Sequence, residues 1–354
     1  MTHGSSFPPP VPDPSEGEPG AGVVPPGTIP APLIAVEAGA APLLPGEVLD
    51  GADEPLHVAS PAEVPAEARP ATRRAQRQER AKTSRAGRDL PVAIGVGLLL
   101  LALLLGSMFV VPQLFVVIGA AACAVGCWEV SRALQWHSGV PVPLIPLIFG
   151  CLALPFGATY GGPEGLAVAI AASAVLVTLW SVFEGRATAA KSVTLSLLTL
   201  AWVPVLASFA FLLFREPNGP MLLLATLLLV VSNDTFGYLF GAWLGKHPMA
   251  PKISPKKSWE GFAGSVGGAV VVGVLVCIFM LDVSWWIGVV LAVATVMAST
   301  AGDLSESMVK RELGIKDMSN ILPGHGGIMD RLDSILFAVP MGYLVSVLAF
   351  GTVA

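Results

Sequence analysis

The chain reads as an all-α, polytopic integral membrane protein with about nine transmembrane helices behind a disordered N-terminal tail. Three observations predict this. Of 354 residues, 54% are hydrophobic and only 13% charged, and the mean hydropathy of +0.72 lies far from that of an ordinary soluble domain. The apolar residues come in blocks of about 17–25, the length a helix needs to cross some 30 Å of hydrocarbon. Finally, residues 1–88 have a different composition from everything that follows.

That first segment is rich in Pro, Ala, Gly and Glu and almost devoid of aromatics. It cannot bury enough apolar surface to offset chain entropy, so disorder is expected. Its outer part is acidic through Asp13, Glu16, Glu18, Glu47, Asp50, Asp53 and Glu54. Arg69, Arg73, Arg74, Arg77, Arg80, Lys82, Arg85 and Arg88 then crowd the approach to the first apolar run. The formal net charge of -5 therefore conceals a basic collar. A collar abutting a span reads as a positive-inside signal with attraction to anionic lipid, and nucleic acid is not an expected partner.

Spans are expected near 91–111, 113–134, 142–160, 164–183, 192–214, 220–244, 262–281, 285–301 and 334–351. The first lacks a small-residue cleavage site and follows a long hydrophilic segment, so it is not a removable signal peptide. Residues 89–354 thus form one transmembrane domain. The tightest junction is Val111-Pro112-Gln113, which leaves almost no loop between two spans. With the collar inside, the loops at 132–141, 184–191, 245–261 and 302–333 also fall inside. They carry most of the remaining Lys and Arg, with Arg215 the exception on the opposite side. A multi-pass protein of the cell membrane with a cytoplasmic N-terminus follows. Cys123, Cys127, Cys151 and Cys277 fall within spans and read as small core residues, without the partners of a zinc site.

Ionisable chemistry concentrates in two of the inner loops. From Ser307 to Ser334 the chain offers Lys310, Arg311 and Lys316 as cations and Asp317, Asp330 and Asp333 as hard oxygen ligands. Pro323-Gly324-His325-Gly326-Gly327 forces a tight turn with close backbone approach. Asp303 precedes Ser307 by four residues, on the same helix face. Cations, carboxylates and glycines together suggest phosphates held with a divalent metal. The 245–261 loop places Lys252, Lys256 and Lys257 among prolines. They read either as a clamp for a polyphosphate or as a juxtamembrane lipid anchor. Ser232-Asn233-Asp234-Thr235 interrupts the sixth span, and an acid at that depth is either functional or a helix–helix hydrogen-bonding site. Glu129, in the second span, pairs on first reading with Arg132 one turn on. Trp136, Tyr160, Trp285 and Trp286 read as interfacial anchors.

The run containing Ser307, Lys310, Arg311, Lys316, Asp317, Ser319, His325, Gly326, Gly327, Asp330, Arg331 and Asp333 resembles the signature of the phosphatidate cytidylyltransferases, or CDP-diacylglycerol synthases. Ser254-Pro255-Lys256-Lys257-Ser258-Trp259-Glu260-Gly261 resembles a second block of that family. The resemblance implies a nucleotidyltransferase that moves CMP from CTP to phosphatidate in the membrane, giving CDP-diacylglycerol and pyrophosphate. It implies Mg2+ at Asp303 and Asp330 with Asp234 nearby. Asp330, Asp303, Ser307, Lys310 and Arg311 would serve catalysis. Ser254, Lys256, Lys257, Ser258, Lys316, His325, Gly326, Gly327 and Arg331 would bind nucleotide, with His325 orienting phosphate more than acting as a base. A CTP-dependent polyprenol kinase and an ion-coupled transporter are the alternative readings. An oligomer is compatible with the sequence and not specified by it.

Overall fold

Prolines and glycines cut the apolar runs in the computed structural model, which describes residues 90–185, 187–322 and 326–351. The tail expected at 1–88 and His325 lie outside these residues. Helix α1 (Leu90–Phe109) ends where Val110 and Val111 both donate their N–H to the Gly106 carbonyl, at 2.9 and 3.2 Å. Pro112, which has no N–H to offer, starts α2 (Pro112–Ser138) immediately. The near-absence of a loop at Val111-Pro112-Gln113 is thus real.

Helix α3 (Leu144–Phe183) has 40 residues, about 60 Å if straight and twice the thickness of a bilayer core. It is two limbs. Gly162 adopts φ 62° and ψ −151°, a conformation that essentially only glycine reaches, and Pro163 opens the return limb. A Cβ on Gly157 would lie 2.7 Å from the Gly165 carbonyl and 3.0 Å from the Ala169 Cβ, so the limbs fold back tightly on each other. The expected spans at 142–160 and 164–183 are this hairpin. The guanidinium of Arg215 occupies the space where a Gly162 side chain would be, which accounts for the one basic residue on the poorly charged side.

Helix α4 (Ala189–Arg215) carries a π turn at Ala201–Val205, where Pro204 interrupts the regular hydrogen bonding. Helices α5 (Gly219–Leu244), α6 (Trp259–Phe279), α7 (Trp285–Glu312) and α8 (Met329–Phe350) complete the fold. Nine helical segments therefore stand among the described residues, seven elements being long and apolar enough to cross a membrane. Between α5 and α6 the chain forms a small antiparallel hairpin, β1 (Pro248–Ala250) and β2 (Ser254–Ser258), pairing Pro248 with Ser258 and Ala250 with Ser254.

The closest packing is among α5, α6, α7 and α8, with α8 also lying against α2, α4 and α5. Small buried cores lie where helices cross: Phe115, Leu154, Phe211 and Val339 in one, Leu229, Ala269, Leu291 and Val296 in another. A third contains Cys123, Cys127 and Cys151 with Met318 and Met329, the cysteines being free buried thiols, as expected of core residues. Outward, Leu98, Val168, Val231 and Phe279 are more than half exposed. So many exposed large apolar side chains suit a lipid-facing domain and not a water-soluble one.

Candidate active site

Glycine-lined helix contacts create the site. Phe236 and Phe240 of α5 lie over Gly268 and Gly264 of α6, where any Cβ would come within 2.4 Å of a ring. At that separation Ser265 Oγ donates to the Asn233 carbonyl at 2.7 Å. The Asn233 side chain donates to Ser299 Oγ of α7 at 3.3 Å and to Asp234 at 3.2 Å, and accepts from Thr300 Oγ1 at 3.4 Å. The polar break at 232–235 therefore has two jobs. Asn233, nearly buried, ties three helices together; Asp234 faces a cavity.

The hairpin forms the wall of that cavity. Glu260, in the first turn of α6, accepts from the backbone N–H of Lys246 and His247 at 3.1 and 3.2 Å and contacts His247 Nδ1 at 2.5 Å. Ser258 caps α6 by accepting from Gly261 N–H at 3.1 Å. Arg311, at the end of α7, donates to the Ile253 carbonyl at 3.3 Å, so the two charged loops meet at one end of the bundle. The resulting cavity of about 290 Å³ is lined by Ser254, Lys256, Lys257 and Ser258 from the hairpin, by Asp234 and by Asp303. Lys257 Nζ lies 2.5 Å from Asp303 Oδ2, and Ser307 Oγ donates to Asp303 Oδ1 at 3.2 Å.

A second charged group lies beside this cavity. Helix α7 continues to Glu312, so Asp303, Ser307, Lys310 and Arg311 are helical, whereas the apolar run suggested a loop from 302. Gly302 permits this: a Cβ there would be 2.4 Å from the Asp333 carbonyl, so α7 and α8 nearly touch. Lys310 Nζ bridges Glu306, fully buried one turn earlier, and Asp330 Oδ1 at 2.9 Å. Asp330 also accepts from Gly327 N–H at 2.7 Å and Met318 N–H at 3.0 Å. Asp333 accepts from Ser334 N–H at 2.6 Å. Lys257 shares the lining of the cavity with Asp234, and Arg331 follows Asp330 in the first turn of α8. Lys316 is exposed. Gly326 has φ 80° and exchanges two backbone hydrogen bonds with Leu322.

Asp234 and Asp303 thus share the cavity, while Asp330, expected with them as a metal ligand, has its oxygens engaged by Lys310 and two backbone donors. No group of three or more His, Cys, Asp and Glu side chains is arranged to hold a metal among the described residues. The pair at the cavity still fits magnesium, which keeps several waters and uses one or two carboxylates with substrate phosphates rather than an all-protein cage. Glu306 escaped sequence reasoning, although its position four residues before Lys310 was a usable signal. Glu129 does not pair with Arg132 as first read: Arg132 stacks on Trp128 at 5.3 Å, and the Glu129 carboxylate reaches across to the start of α8.

The chain matches the cytidylyltransferase family over residues 91–349. It is 39% identical over 304 residues to a phosphatidate cytidylyltransferase of Mycobacterium bovis, covering 81% of this chain and 95% of that one. A phosphatidate cytidylyltransferase of Mycobacterium leprae is 39% identical over 288 residues, 75% of this chain and 90% of the other. One of Haemophilus influenzae is 45% identical over 131 residues, 35% of this chain and 44% of its own. Because the family match runs through nearly all the described helices, and both charged loops of the cavity fall inside it, this chain belongs to the cytidylyltransferase family.

Proposed function

We propose that the protein is a phosphatidate cytidylyltransferase, transferring CMP from CTP to phosphatidate and releasing pyrophosphate. The observation that carries the reading is the cavity in which hairpin lysines and serines face Asp234 and Asp303 at one end of the bundle. Two polyanions have to be brought together, so catalysis depends on positioning and charge neutralisation. Lys256 and Lys257 take the triphosphate, with Ser254 and Ser258 as hydroxyl donors. Lys257 is presently paired with Asp303, and an incoming phosphate exchanges that partner. The phosphatidate monoester is already anionic and needs no general base; its oxygen attacks the α-phosphorus as the bond to pyrophosphate breaks.

In this reading Asp234 and Asp303 would hold magnesium, which would supply charge neutralisation to the phosphates. Lys310 is fixed between Glu306 and Asp330 beside the cavity, and Arg311 holds the hairpin over it. The site faces the cytoplasm, where the basic loops gather, and the protein resides in the cell membrane.

Purified protein in lipid nanodiscs, given labelled CTP, phosphatidate and magnesium, is expected to yield CDP-diacylglycerol and pyrophosphate. Formation of CDP and a lipid phosphate would instead identify a CTP-dependent lipid kinase. Absence of any CDP-lipid would defeat the proposal.

A further inference from the structure

We infer that Glu129 is a positioning residue for the Asp330 side of the site, an inference that rests on the function proposed above. Glu129 lies about two thirds of the way along α2 and is 1% exposed. A carboxylate so deeply buried is costly unless its oxygens are satisfied. Its oxygens accept from Ser319 Oγ at 2.5 Å, Ile328 N–H at 3.0 Å and Met329 N–H at 2.7 Å. All three donors come from a segment some 200 residues away in sequence.

Two of the donors are backbone N–H groups at the start of α8. The first turn of any helix leaves such groups without intrahelical partners, and its positive dipole end favours an anion. A Ser, Thr, Asp or Asn at the cap would normally answer them. Here the cap position is Ile328, which has no side-chain hydrogen bond to give. Glu129 supplies the missing cap from another helix. Gly327 sits between the two carboxylates: a Cβ there would be 2.8 Å from both Glu129 oxygens and 3.0 Å from Asp330 Oδ2. The residue after Met329 is Asp330, which holds Lys310. A single chain of contacts therefore runs from Glu129 through the start of α8 to Asp330, Lys310 and Glu306, while the nucleotide hairpin stands outside it.

This separation makes the inference testable with Glu129→Leu and Glu129→Gln in nanodiscs. Hydrogen exchange at the Ile328 and Met329 amides is expected to rise about tenfold or more in Glu129→Leu, as for loss of a hydrogen bond to a charged group, with α5 and α6 unchanged. In the same protein kcat should fall about tenfold or more while KM for CTP changes less than about threefold. Glu129→Gln, which keeps the size and one acceptor, should fall between and carries the test if the leucine variant does not fold. Unchanged exchange at these amides overturns the inference. So does exchange raised evenly over all helices with kcat per folded protein unchanged, the mark of a merely structural carboxylate. If the wild type makes no CDP-lipid, it is the proposed function that fails, and the exchange measurement still decides whether Glu129 caps α8.

Discussion

Lys257 and Asp303 meet at 2.5 Å, both about a quarter exposed, so each is available to a ligand entering the cavity. In the proposed reaction the lysine gains a phosphate and the carboxylate a metal, and neither is replaceable by a neutral isostere. Lys257→Met is expected to lower kcat/KM by roughly 10- to 100-fold, the value of a charge-assisted hydrogen bond, as measured by steady-state CDP-lipid formation. Asp330→Asn keeps the shape but loses the charge that fixes Lys310. It should remain membrane-integrated while transfer collapses, and full transfer by that variant would remove Asp330 from the machinery. Gly327→Ala forces a methyl between two carboxylates. Overpacking of this kind costs about 1–3 kcal/mol, so a lower midpoint in detergent melting is expected together with lost activity.

At the scale of elements, glycine sets the distances. Gly264 and Gly268 admit the rings of Phe240 and Phe236, and Gly302 lets α7 approach the backbone of α8. These residues were visible in the sequence but did not declare which helix each would meet. The sequence sets the lysines of the 245–261 loop among prolines, but it does not name the hairpin they stand on or its anchor. Glu260 holds Lys246 and His247 from the first turn of α6, and Arg311 clips Ile253 from α7. Glu260→Ala should free the hairpin and raise KM for CTP several-fold with kcat nearly held, a pattern that separates loosened binding from lost chemistry. Equal loss in both parameters would contradict that role.

Across the whole molecule, alternation of nine helical segments brings the loops at 245–261 and 302–333 to one end, where the Arg311–Ile253 contact joins them. The opposite end carries the Gly162 bend and Arg215. In a cysteine-free background, Lys252→Cys should react with an impermeant maleimide in inside-out vesicles and Glu216→Cys in right-side-out ones. The reverse pattern would invert the proposed orientation. Hydropathy, loop charge and motif order were enough to establish from the sequence an all-α membrane protein, the break of α3 into two limbs and the two charged loops. Those properties are local, because a span's length, a loop's charge and a proline's position act within a few residues. Only the tertiary structure decided that Asp234 shares a cavity with Asp303, that Asp330 is held by Lys310, and that Glu129 caps α8. These depend on how closely helices approach and which faces meet, and packing over separations of up to 200 residues is set by all the helices together.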